Sequence, residues 1–141
     1  MTQILPFHPD DMNITSLSRS YIENGFVLVK DLISREERDE IRTELIKINR
    51  GDYPCNSITP SGHCLTDDDL LTRYMYIGEP HVLSPILGKY IRHPGICRVL
   101  DMAVGAHLPF WDGAYKCMQT MSVSKKPGGN GSPWSESGYR W

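Results

Sequence analysis

At 141 residues the chain has the length of one domain, and 40% hydrophobic with 23% charged residues is an ordinary balance for a soluble globular protein. A net charge of −2 gives no electrostatic footprint for nucleic acid or an anionic membrane surface, and no apolar run approaches the roughly 20 residues that cross a bilayer. The opening Met1–His8 has neither a basic start nor a long apolar stretch, so no secretion signal is read and a cytoplasmic location is expected. Without export, Cys55, Cys64, Cys97 and Cys117 read as reduced thiols, and no spacing among them fits a zinc pair.

Residues 1–14 read as an irregular lead-in. A first helix is expected to begin near Thr15 or Ser16, which can cap it, and to end at Gly25, a residue suited to the left-handed closing position. Phe26-Val27-Leu28-Val29 then predicts a short buried strand. Next, Ser34 followed by Glu37 forms a capping box, with Ile41, Leu45 and Ile48 on one apolar stripe and Gly51 as the stop. The charges on the other side of that helix, such as Arg35, Arg38 and Asp39, read as a solvated face.

Residues 52–70 predict a loop that closes on Asp67-Asp68-Asp69. Three adjacent aspartates rarely converge on one cation, so they are read as a helix start with acidic residues at its positive end. A segment through Leu70–Tyr76 follows and Pro80 closes it. Ser84-Pro85 and His93-Pro94 each open a further helix, with proline at the first helical position. The pattern changes to β over residues 114–124, and Pro127–Gly131 reads as a loop. A helical front that leads into one or two strands gives an α+β class in which the rest of a sheet is expected elsewhere.

Several of these pieces resemble one family. Tyr21–Lys30, the Ser34 helix, the His93-Pro94 helix, Met118-Gln119-Thr120-Met121 and Lys125-Lys126-Pro127-Gly128 follow the order of segments in the phytanoyl-CoA dioxygenase family. The resemblance covers residues 15–134 of a single domain, 1–141, and leaves 135–141 as a divergent tail. It implies a double-stranded β-helix, a jelly-roll of the cupin kind, of which this chain holds the helical part and the first strands. It also implies Fe(II), 2-oxoglutarate, O₂ and a small-molecule substrate. In the family, iron is held by two histidines and a carboxylate on one side, leaving positions for cosubstrate and oxygen.

The first of those ligands belong to a His-x-Asp motif after Pro-Trp. Here Pro133-Trp134 is followed by Ser135-Glu136-Ser137, so serine stands at both expected ligand positions. The later histidine and arginine of the pattern have no counterpart in the chain. The expectation is therefore a truncated family member that binds neither iron nor 2-oxoglutarate by itself and has no catalytic residue. Met121, Gln119, Lys116 and Arg73 are the residues that the resemblance assigns to cosubstrate contacts. A second expectation is a non-catalytic module that self-associates, or pairs with a full-length relative, through an open sheet edge.

Overall fold

The computed structural model describes residues 5–54, 65–72, 75–108, 110, 112–113 and 116–124. Helix α1 (Ile14–Asn24) starts one residue earlier than its composition suggests, because Asn13 is the cap: its side-chain oxygen accepts from Ser16 N at 2.9 Å. It ends as expected at Gly25, whose φ of 76° is left-handed and whose N–H donates to Tyr21 O at 2.8 Å.

Helix α2 (Arg35–Arg50) carries the capping box in full. Glu37 N donates to Ser34 Oγ at 3.1 Å, and Ser34 N donates to Glu37 Oε2 at 2.9 Å. Gly51, at φ 93°, closes it. Helix α3 (Asp67–Thr72) has the three aspartates in its first turn. Two of them also reach α2, in the ion pairs Arg42–Asp68 at 2.9 Å and Arg50–Asp67. The aspartate run is thus both a helix start and a tether for α2.

Helices α4 (Pro80–Leu83), α5 (Pro85–Tyr90) and α6 (Pro94–Ala103) follow, then a 3₁₀ turn at Gly105–His107. Ser84 caps α5 and His93 caps α6, with proline just inside each, as the sequence indicates. Pro80 opens a helix instead of closing a segment, because its fixed φ suits a first helical turn.

The β structure departs furthest from expectation. Strand β1 (Met75–Gly78) begins within the segment expected over Leu70–Tyr76 and runs past its end, and it pairs antiparallel with β2 (Met121–Ser124). The register sets Tyr76 opposite Val123 and Ile77 opposite Ser122. Of the strand expected over 114–124, residues 116–120 are described outside any strand, although Glu79 N still donates to Thr120 O at 2.9 Å. Phe26–Val29 is not a buried strand. It makes one parallel bridge, Phe7 to Val29, and leaves Phe26 and Leu28 exposed while Val27 and Val29 pack inward. With a partner along only one residue, only one side of the run finds a surface to cover it.

Among the described residues the core lies in two small clusters. Met12, Leu17 and Ala103 join α1 to α6, with Val27, Val29 and Val99 packed around them. Ile48, Ile77 and Leu87 join α2, β1 and α5, with Ile41, Leu45, Tyr53 and Leu83 around them. No described helix is long and apolar enough to cross a membrane.

Ser34→Ala removes one half of the capping box: Glu37 N loses its acceptor, while the backbone N–H at position 34 still reaches the Glu37 carboxylate. The substitution is expected to lower stability by about 1 kcal/mol, read as a shift in the urea midpoint with an unchanged slope.

Candidate functional site

The second cluster carries a carboxylate at its edge. Glu44 is 1% exposed on α2, and three donors converge on it. Lys47 Nζ reaches Oε1 at 2.6 Å, while Tyr53 Oη and Ser84 Oγ reach Oε2 at 2.5 and 2.6 Å. Burial pushes the carboxyl upward, but the hydrogen bonds from Lys47, Ser84 and Tyr53 outweigh it and hold the group at about 2. Ser84 Oγ also accepts from Leu87 N at 3.3 Å, so the same hydroxyl caps α5 and binds α2.

A second polar chain links α2 to α6. Ile96 N donates to His93 Nδ1 at 3.3 Å, so Nδ1 is the acceptor and the ring proton sits on Nε2, 3.0 Å from Glu37 Oε1. Both imidazole nitrogens are therefore used by the fold, and this carboxylate–histidine pair has no free nitrogen for proton transfer. Tyr90 stacks on the His93 ring, and its hydroxyl donates to Glu40, which also pairs with Lys89 at 2.5 Å. The Ser34 backbone N–H holds Glu37 below its ordinary value, and the Lys89 hydrogen bond does so for Glu40.

These contacts frame a cleft of about 730 Å³. Its helical walls are Ile41 and Leu45 of α2, Leu87 and Tyr90 of α5, and Ile96 and Leu100 of α6. The segment running into β2 closes the other side with Lys116, Cys117, Thr120 and Met121. His81 stands at the junction. Its Nδ1 lies 2.6 Å from Thr120 Oγ1 and 3.3 Å from Glu79 Oε2. Glu79 takes a left-handed φ of 53°, uncommon for a residue with a side chain, and its carboxylate also accepts from Thr120 N at 3.4 Å.

Of the residues that the resemblance assigns to cosubstrate, Met121 and Lys116 line this cleft. Gln119 is not among the lining residues; its amide donates to Tyr76 Oη at 3.4 Å. Arg73, Ser135 and Ser137 lie outside the described residues. Sequence reasoning passed over Glu44, His81 and Arg92. Glu44 carries no local signal, since a glutamate between two charged turns reads as surface. His81 shares one with Glu79-Pro80, a proline-initiated turn placing a carboxylate two residues before an imidazole.

Among the described residues no three His, Cys, Asp or Glu side chains gather as a metal ion would require.

No family model matches the chain, and no solved structure does. Two curated proteins are similar to it. Phytanoyl-CoA dioxygenase, peroxisomal, of Bos taurus is 26% identical over 137 residues, covering 86% of this chain and 37% of the relative. The protein of the same name from Rattus norvegicus is 25% identical over 127 residues, covering 83% and 34%. The chain thus spans about a third of the length of the curated relatives it matches. This is a distant relationship that extends along most of the chain.

The Glu44 site makes a pH prediction with a definite sign. A carboxyl lowered from 4.5 to about 2 contributes stability that is fully present above pH 4.5 and is lost as pH falls through about 2. Glu37 and Glu40 are lowered as well and add to the same trend. In Glu44→Gln the loss of stability over that window should be shallower than in the parent, measured by denaturant midpoints along a pH series. Equal slopes would show that Glu44 is not the titrating group.

Proposed function

We propose that the chain is a phytanoyl-CoA dioxygenase-like polypeptide from an Fe(II)/2-oxoglutarate oxygenase lineage, inactive as a catalyst by itself. The observation that carries the reading is the alignment of 86% of the chain with the bovine enzyme, along the same stretch whose ordered segments resemble the family. Two described features agree with it: the described residues combine helices with a small antiparallel sheet, and Met121 and Lys116 lie at one cleft. In this reading β1 and β2 are the first strands of a double-stranded β-helix.

Inactivity follows from chemistry at the motif. A neutral serine hydroxyl is a poor Fe(II) ligand beside imidazole or carboxylate, and serine occupies both positions, Ser135 and Ser137. Glu136 alternates with them and would face the other way in a strand. A small-molecule substrate belongs to the same proposal, with its identity open to the loops that surround such a site. The expected location is the cytoplasm; the relatives are named as peroxisomal, and imaging of a tagged chain decides between the two addresses.

A second reading, a non-catalytic module that pairs with a full-length relative or with itself, draws on the sheet. Each strand has one neighbour among the described residues, and Tyr76, Met121 and Val123 are 52%, 54% and 42% exposed. An unpaired edge beside apolar side chains is a template for strand addition.

Anaerobic calorimetry of 2-oxoglutarate with Fe(II), repeated with redox-inert Mn(II), tests the first reading. The expected result is no metal-dependent binding by a folded chain. Micromolar metal-dependent binding would mean that other ligands complete a site, and would overturn the inactivity.

A further inference from the structure

The fold uses only one of the two ring nitrogens of His81. Nδ1 lies 2.6 Å from Thr120 Oγ1 and 3.3 Å from Glu79 Oε2, while Nε2 has no partner among the described residues. His93 differs, since both of its nitrogens are bound. The carboxylate beside Nδ1 selects the tautomer of His81. A ring lone pair aimed at a carboxylate oxygen is repelled and an N–H is attracted, so the proton belongs on Nδ1 and Nε2 is an acceptor.

The turn that creates this arrangement is strained. Glu79 holds a left-handed φ of 53° despite its side chain, and Thr120 fixes it from two directions. Glu79 N donates to Thr120 O at 2.9 Å, and Thr120 N donates back to Glu79 Oε2 at 3.4 Å. Strain of this kind persists where its surroundings over-determine it, and it gathers at ligand sites. Here its product is an imidazole with one nitrogen locked and the other unused.

His81 lines the cleft of about 730 Å³, and its side chain is 26% exposed. Ile41, Leu45, Leu87, Ile96 and Leu100 make the aliphatic part of the wall. The Tyr90 hydroxyl is already given to Glu40 and the Thr120 hydroxyl to His81. Small-molecule sites are mostly apolar with a few placed polar groups, and here the placed acceptor is Nε2. Its complement is an apolar body with one donor.

We infer that the cleft binds an uncharged, largely apolar molecule with a single hydroxyl, which donates to His81 Nε2 while the body lies against α2, α5 and α6. The site needs neither iron nor 2-oxoglutarate, so it stands or falls apart from the oxygenase reading. Arg92 and Lys116 also line the cleft, and a ligand chosen by them would carry an anionic group. Head-group charge is therefore the variable that the experiment separates.

The test is metal-free calorimetry of the full chain with 4-propylphenol, 4-propylanisole and 4-propylbenzoate. They share a body and end in a hydroxyl, a methylated oxygen and a carboxylate. Near neutral pH the phenol is uncharged, as a tyrosine hydroxyl is. It should bind about tenfold more tightly than the anisole, the effect of one hydrogen bond, and more tightly than the benzoate. In His81→Asn the amide stands near Nδ1 and can keep Thr120, but nothing replaces Nε2, so phenol and anisole should bind equally. His81→Gln, whose amide reaches the Nε2 position, should keep part of the preference. Circular dichroism checks that both variants are folded. The proposal is overturned if neither phenol nor anisole binds, if the parent binds them equally, or if benzoate binds more tightly than the phenol. It is also overturned if folded His81→Asn keeps the preference, or if His81→Gln loses all of it, which would assign the effect to packing of the ring.

Discussion

Much of this structure turns on a buried charge at its centre. Glu44 sits where α2, Tyr53 and the α4–α5 junction meet, and its carboxylate accepts from each of them. A carboxylate removed from water is costly unless donors replace the hydration it loses, and here three do. The arrangement is all-or-nothing. Removal of the carboxylate would leave the Tyr53 and Ser84 hydroxyls without their acceptor and a cap of α5 without its anchor. The position of α5, and hence one wall of the cleft, follows from that contact.

The apolar packing around it is thin. Two separate clusters do the work of one core, and large side chains such as Ile22, Val82 and Phe110 stay exposed. With so little apolar area buried among the described residues, polar links carry an unusual share of the geometry. The Glu37–His93 pair shows how: one imidazole caps α6 through Nδ1 and holds α2 through Nε2, so two helix starts are tied through a single ring. The arrangement looks like half of a catalytic triad, but both nitrogens are spent on structure.

The sequence by itself determined what local chemistry controls. The Ser34–Glu37 box, the left-handed Gly25 and Gly51, the aspartate-led α3 and the proline-led α5 and α6 all stand where their residues indicate. In each case donor and acceptor lie within four residues, so the signal is contained in the segment that folds. The order of segments from residue 15 also pointed to the family to which two distant relatives belong. Tertiary structure decided the rest. Only the fold brings residues 75–78 beside 121–124, and only that pairing makes β1 a strand. Phe26–Val29 has strand composition, yet its pairing is limited to Phe7 because a strand is defined by its neighbour. Glu44 became buried, and the cleft acquired walls from α2, α5, α6 and the segment leading to β2, through contacts between residues far apart in the chain. Periodicity within one helix carries no information about what another element will place against it.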